Sequence, residues 1–159
     1  MKQKLTNLAV GELVAVIVFW IDFFLFKKLI TTTKSLISIS FSLFILSFIL
    51  IQGSIFWCIL IKRISKQGFA AKYTGKIYNK LKILDVILLC MGVLVTILNY
   101  STFFTMVISF AIWIFAVIEW VNYYKLQLSY SFNPVVLLKY ILQRTLRKSK
   151  IANEIDKSI

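Results

Sequence analysis

Four apolar segments, each about as long as a membrane-crossing helix, follow one another along the chain. They cover residues 8–26, 36–61, 81–98 and 103–124, and short polar or basic stretches separate them. A helix needs about 20 predominantly apolar residues to cross about 30 Å of hydrocarbon. The pattern therefore predicts an all-α integral membrane protein built as a four-helix bundle.

Composition supports lipid rather than water as the solvent. Hydrophobic residues make up 60% of the 159 residues, whereas a soluble domain usually has about 45–50%. A water-soluble globule of this size would bury only about 70% of its unfolded surface, so much apolar surface would stay exposed. The first segment does not resemble a cleaved signal peptide, because it carries Glu12 and Asp22 and its apolar run exceeds about 15 residues.

The distribution of basic residues predicts the orientation of the bundle. Sixteen of the nineteen Lys and Arg residues lie in the N-terminus, in the 62–82 segment and in the region after Glu119. The 27–35 loop carries the other three. Because cytoplasmic loops are enriched in Lys and Arg, both termini are predicted to lie in the cytoplasm. The predicted organisation is a transmembrane domain over 1–130 and a cytoplasmic basic tail over 131–159.

The basic loop at 62–80 has the pattern of a surface helix. Lys72, Lys76 and Lys80 recur every four residues beside an apolar stripe, which predicts a cytosolic extension of the third span. Such a basic face suits anionic lipid headgroups, at about 1 kcal/mol per basic residue.

The tail carries a second such pattern. Asn133-Pro134 is typical of an N-cap followed by proline in the first helical position. The helix that follows would set an apolar face against four basic residues, Lys139, Arg144, Arg147 and Lys148. We expect this amphipathic helix to lie on the membrane surface. Docking onto an acidic protein partner is the alternative, and no nucleic-acid-binding motif accompanies the charge.

Four of the six acidic residues, Glu12, Asp22, Asp85 and Glu119, lie inside the predicted spans. An aspartate at mid-helix costs roughly 2.5–3.5 kcal/mol on the insertion scale, so intramembrane carboxylates are seldom kept without a role. Glu12, Asp85 and Glu119 fall within about two helical turns of the cytoplasmic boundary. They are expected to converge on one site, where like charges favour a shared proton, to pair with cytoplasmic lysines, or to point separately into the headgroup region.

Asp22 lies nearer the opposite leaflet, with no basic residue predicted at its depth. It is expected to be protonated, to face an aqueous cavity or to be neutralised by a partner.

Each span also carries one stripe of small or polar residues, which is the surface that membrane helices pack against one another. The stripes comprise Gly11, Ala15 and Asp22; Ser40, Ser47 and Ser54; Asp85, Gly92, Thr96 and Asn99; and Thr102, Thr105, Ser109, Ala116, Glu119 and Tyr123. A bundle with a polar seam is predicted.

Catalytic chemistry has little support in the sequence. There is no histidine, the commonest general base and metal ligand near neutral pH, and no glycine-rich phosphate loop. Cys58 and Cys90 are expected to be buried small hydrophobic residues. We therefore predict a protein that is not an enzyme and that binds neither a metal nor a cofactor.

The run Glu119-Trp120-Val121-Asn122-Tyr123-Tyr124, followed by Leu128-Ser129-Tyr130, resembles a stretch in small bacterial four-helix membrane proteins of unassigned function. The resemblance implies a bacterial plasma-membrane protein. On a helix Glu119, Asn122 and Tyr123 share one face, so they are candidates for a buried polar contact.

The arrangement of four spans with a glutamate in the first also resembles the small multidrug resistance transporters. The resemblance implies an essential glutamate in the first span, and in this chain only Glu12 could fill that role. The long basic loop and tail depart from that family.

The expected function is that of an accessory or interaction subunit of a membrane complex, or of an immunity-type protein that protects against a membrane-active peptide. The alternative is a small oligomeric transporter or channel that moves protons through its intramembrane carboxylates. Anionic lipid and either a protein partner or further copies of the chain are the expected partners.

Overall fold

The computed structural model describes residues 2–30, 32–65, 71–125 and 148–156. Within these ranges the chain forms five α-helices, with one 3-10 turn at Lys27–Leu29. The helices are α1 (Lys2–Phe26), α2 (Thr33–Ser65), α3 (Ala71–Leu98), α4 (Phe103–Tyr124) and α5 (Lys150–Asp156). The first four are long and apolar enough to cross a membrane, which confirms the predicted all-α membrane bundle.

Helix α2 forms the centre of the bundle. Its residues Ile45, Ile49 and Phe56 have no accessible surface, and α1, α3 and α4 all pack against it. In contrast, only 6% of the apolar window of α1 is buried, against 56% for α2. Helix α1 is therefore held on one side only, and most of its apolar surface faces outward.

The helices extend beyond the apolar segments at one end of the bundle. Helix α2 continues to Ser65 and α3 begins at Ala71, so the predicted extension of the third span is confirmed. Lys2 donates a hydrogen bond from Nζ to Ser65 Oγ over 3.1 Å. We call this end, which carries Lys2, Ser65 and α5, the inner end, and the opposite end the outer end.

Most members of the predicted stripes of small and polar residues face the interior on three of the four helices, whereas Thr102 is exposed and precedes α4. Asp85, Gly92 and Thr96 are buried on α3, and Ser47 and Ser54 are buried on α2. The interior face of α4 likewise includes Ser109, Ala116 and Tyr123. Towards the outer end, Ser35 donates to Thr105 over 3.1 Å and Ser38 to Ser109 over 2.9 Å, linking α2 to α4.

Two expectations from these patterns are wrong. On α1, Gly11 and Asp22 are exposed, and the buried residues are Leu5 and Ala9 instead. Cys58 and Cys90 are exposed as well, because they lie on faces of α2 and α3 that point away from the core.

The short helix α5 packs against the inner end of α3 and α4 through its buried residues Ile151 and Ile155. Ser149 caps it by accepting a hydrogen bond from the backbone N–H of Ala152 over 3.0 Å, and the same hydroxyl donates to the carbonyl oxygen of Tyr123. A salt bridge of 2.9 Å joins Glu154 to Arg63 at the end of α2.

The amphipathic helix predicted after Pro134, with Lys139, Arg144 and Arg147, lies outside the described residues. Lys148 is described, is exposed and forms a salt bridge of 2.9 Å with Asp156. Lys76 and Lys80 are also exposed, as expected for a basic surface. The backbone of Lys72 lies in the first turn of α3.

Candidate functional site

Glu12 lies between α1, α2 and α4 near the inner end of the bundle. Trp57 donates its indole N–H to Glu12 Oε1 over 2.8 Å, and the phenol of Tyr123 lies beside the same carboxyl group. The other oxygen, Oε2, is buried and has no hydrogen-bond partner among the described residues. The carboxyl group therefore contacts two neutral side chains, and its Oε2 lies next to the Tyr123 phenol.

Gly53 makes this close approach possible. A Cβ at its position would overlap the Tyr123 ring and would lie 2.7 Å from Glu12 Oε2. Only glycine therefore allows a carboxyl group from α1 and a phenol from α4 to meet against the backbone of α2.

Glu119 faces Glu12 from the other helix. Its Oε2 accepts a hydrogen bond from Asn122 Nδ2 over 3.3 Å, and the side chain is half-buried. The two carboxyl groups are close enough to interact electrostatically. As predicted, Glu119, Asn122 and Tyr123 share one face of α4, and that face is directed toward Glu12.

Asp85 belongs to a different cluster, between α2, α3 and α4. Gln52 donates from Nε2 to Asp85 Oδ1 over 2.8 Å, and its Oε1 accepts from the Tyr124 hydroxyl over 2.6 Å. The Tyr78 hydroxyl donates to the backbone oxygen of Gln52 over 2.8 Å. Asp85 has no accessible surface, so this cluster is an internal connection between three helices.

The three inner carboxylates thus do not converge on one site. Glu12 and Glu119 meet, but Asp85 is separated from them by α2. Successive residues of an α-helix point about 100° apart, so Gln52 faces the Asp85 cluster while Gly53 faces Glu12. The hydrogen bonds that the structure shows to these carboxylates come from neutral donors, namely Trp57, Gln52 and Asn122.

A groove runs between α1 and α4 along the length of the bundle, with α2 as its floor. Phe19 of α1 and Phe115 of α4 meet across it, with ring centroids 6.1 Å apart, and divide it into two openings. We call this feature the α1–α4 groove. Its inner opening of about 440 Å³ is lined by Leu8, Gly11, Glu12, Ala15, Phe19, Leu50, Phe115, Ile118, Glu119, Asn122 and Tyr123.

The outer opening of the groove has a volume of about 460 Å³ and contains Asp22. The residues around Asp22 are almost all apolar, including Phe23, Phe26 and Ile108. Helix α1 ends at Phe26, so Asp22 lies about one turn from the helix end. Asp22 is therefore an exposed carboxylate at a recess whose lining is mostly apolar.

Helix α5 covers the inner end of the Glu12 site. Lys150 places its ammonium group 5.5 Å from the centre of the Trp57 ring. A small cavity of about 50 Å³ separates α5 from the carboxyl group, and Glu12, Trp57, Tyr123 and Ser149 line it together with Lys150.

Sequence reasoning did not single out Gln52, Gly53, Trp57 or Lys150. The signal for the first two was a polar residue next to a glycine inside an otherwise apolar span. The contributions of Trp57 and Lys150 depend on which helices become neighbours, and nothing in the local sequence indicates that.

Within the described ranges, no group of three or more His, Cys, Asp or Glu side chains is placed to hold a metal ion. The four long apolar helices define a multi-pass helical membrane protein. No protein-family model, no curated protein and no solved structure matches the chain.

Proposed function

We propose that this protein is a non-catalytic accessory or interaction subunit of the bacterial plasma membrane, which binds another protein within the bilayer. The observation that supports the proposal most directly is the pair Glu12 and Glu119. They lie in a groove that opens sideways between two helices, and the hydrogen bonds they accept come from neutral groups. Intramembrane carboxylates usually pair with other charged groups or mark functional sites.

The contrast with Asp85 strengthens this proposal. Asp85 has no accessible surface, and Gln52 of the same chain donates to one of its oxygens, so contacts between helices account for its position. Glu119 is half-buried in the wall of an opening instead. Packing among the described residues leaves that opening unfilled, which suits a partner from another protein.

The proposed orientation places the inner end, with both termini, in the cytoplasm. The support is the excess of Lys and Arg at that end. The test is labelling of single cysteines at Gln3 and Tyr100, in a chain with Cys58 and Cys90 changed to Ser, by a membrane-impermeant maleimide. With intact cells only the Tyr100→Cys variant should react; labelling of Gln3→Cys instead would reverse the orientation.

An accessory role predicts a stable partner. The protein, purified from its native membrane in mild detergent, should carry a partner in a constant ratio, and Glu119→Gln should lower that ratio. Asp22→Asn, which removes a carboxylate from the other opening, is the matched control. Reproducible purification of the chain without any partner would overturn the proposal. An immunity-type role would appear as protection of cells from a membrane-active peptide that the same Glu119→Gln change removes.

A small proton-coupled transporter is the second candidate. Its support is that Glu12 borders both the groove and the cavity beneath α5, so a proton could reach the carboxyl group from either side. Vesicles containing the purified protein would then show a pH-dependent flux that Glu12→Gln abolishes. Absence of flux, or flux that survives replacement of all four intramembrane carboxylates by amides, would exclude this candidate.

A further inference from the structure

We infer that the inner opening of the α1–α4 groove binds one transmembrane helix of another protein, and that this helix carries a single Lys or Arg at the depth of Glu119. The inference rests on the proposed function and specifies the chemistry of the partner. Two features support it: the open surface of α1 and the charge in the groove wall.

The surface of α1 at the inner opening is shaped for close contact with another helix. Gly11 is exposed, and a Cβ built at its position would have no atom within 4 Å. Ala15 lies one turn further along the same face and lines the same opening. Small residues four apart let the backbones of two membrane helices approach closely, which increases van der Waals contact where no hydrophobic driving force exists.

The carboxylate in the wall of the α1–α4 groove determines which side chain the partner helix needs. Glu119 is half-buried in the lining, and Glu12 lines the same opening with its Oε2 buried and without a hydrogen-bond partner among the described residues. Two carboxyl groups of like charge in a poorly solvated place repel each other. A cationic side chain between α1 and α4 would offset that repulsion and would itself gain the partner that a charge in the membrane requires.

A second copy of the chain fits this opening less well. A two-fold interface brings the same surface of each copy together, so each groove would face the other copy's Glu12 and Glu119. That arrangement adds acidic groups rather than a cation. Electrostatic complementarity therefore favours a different protein whose membrane helix is basic at this depth.

The test uses the full-length protein in phosphatidylcholine vesicles and a labelled host helix of about 24 Leu and Ala residues. One peptide carries a single Lys about two turns from its inner end, at the depth of Glu119, and the control peptide carries Leu there. Energy transfer between protein and peptide reports association. The Lys peptide should bind at least about tenfold more tightly than the Leu peptide, a difference of about 1.4 kcal/mol.

Matched variants locate the binding. Glu119→Gln should reduce the preference for the Lys peptide to less than about threefold. Asp22 lies about 15 Å from Glu12 along α1. Asp22→Asn should therefore leave the preference for the Lys peptide unchanged. Gly11→Leu should weaken binding of both peptides, because it fills the open surface of α1. Thermal unfolding of each variant shows whether the bundle is intact.

Equal binding of the Lys and Leu peptides to the intact protein would overturn the inference. So would a preference for Lys that survives Glu119→Gln. The alternative occupant of the groove is a small organic cation, for which tetraphenylphosphonium is the probe. If tetraphenylphosphonium binds in a way that requires Glu119, and the Lys peptide is not preferred over the Leu peptide, the inference is also overturned. If the protein co-purifies with a partner but the peptides show no preference, the inference fails and the proposed function stands. If the Lys peptide is preferred but no native partner is found, the proposed function fails instead.

Discussion

Gln52 of α2 and Asp85 of α3 form a hydrogen bond inside the bundle, with Nε2 of Gln52 2.8 Å from Oδ1 of Asp85. Both side chains are buried, with 5% and 0% of their surface exposed. The oxygen of the same amide accepts from Tyr124 on α4 over 2.6 Å. One neutral side chain thus bonds to polar groups from two other helices, and it supplies a donor to one oxygen of an aspartate buried in an apolar bundle.

Replacement of Gln52 by Leu should destabilise the protein by about 1–3 kcal/mol, because Asp85 and Tyr124 would each lose a buried hydrogen-bond partner. The measurement is the midpoint of thermal unfolding of the protein purified in detergent. Gln3→Leu is the control, since Gln3 is exposed at the start of α1. A Gln52→Leu protein as stable as the wild type would show that the cluster does not hold α2, α3 and α4 together.

Two glycines should respond in opposite ways to the same substitution. Gly53→Ala places a methyl group against Tyr123 and Glu12, and such overpacking typically costs about 1–3 kcal/mol. Gly11→Ala meets no atom within 4 Å and should be neutral or stabilising by up to about 1 kcal/mol, since Ala is the better helix former. Unfolding of both variants in mixed detergent and SDS micelles compares them directly. Equal effects would contradict the close contact at Gly53.

The hydroxyl contact between α2 and α4 should contribute modestly to stability. Ser38→Ala removes the buried bond to Ser109, and we expect a loss of about 0.5–1.5 kcal/mol, in keeping with other hydrogen bonds between membrane helices. Ser40→Ala is the matched control, because the bond that the described residues show for Ser40 goes to the carbonyl oxygen of Ile37 in its own helix. Unfolding in the same mixed micelles should separate the two variants, and a larger effect at Ser40 would be incompatible with this account.

The salt bridge between Arg63 and Glu154 should hold α5 on the bundle. Each side chain is 19% exposed, so we expect the pair to be worth about 1 kcal/mol. A cysteine at the buried position of Ile155, with Cys58 and Cys90 changed to Ser, reports on release of α5 through its rate of reaction with a soluble maleimide. Arg63→Glu or Glu154→Arg should raise the rate about fivefold.

The combined charge exchange at these two positions should return that rate toward the wild-type value, because the pair is restored with reversed signs. A double variant that reacts as fast as either single variant would show that the salt bridge does not hold α5.

The membrane spans could be predicted well from the sequence because hydrocarbon imposes a simple requirement on length and polarity. The extension of α3 toward Ala71 was also visible, since Lys76 and Lys80 repeat with a helical period. The inward position of Asp85 followed from the same kind of pattern. The exposure of Gly11 could not be predicted from the sequence, because a small residue is equally compatible with a packed interface and with an open surface.

The relations among the carboxylates could be predicted only in part. Sequence position gives the depth of Glu12, Asp85 and Glu119, since each residue adds about 1.5 Å along a helix. It does not give their direction around the bundle axis. That direction depends on which face of α2 each neighbour occupies, and α2 places Asp85 on one side and the two glutamates on the other.

By itself, the sequence determined four membrane-crossing helices and the approximate depth of the acidic residues, because the low polarity of lipid restricts what can cross it. The tertiary structure decided which polar groups meet. Gln52 and Gly53 are consecutive in the chain, yet one connects three helices and the other admits Tyr123 beside Glu12. The reason is geometric: helical residues diverge by about 100° per position, so neighbours in sequence serve different interfaces once the helices have packed.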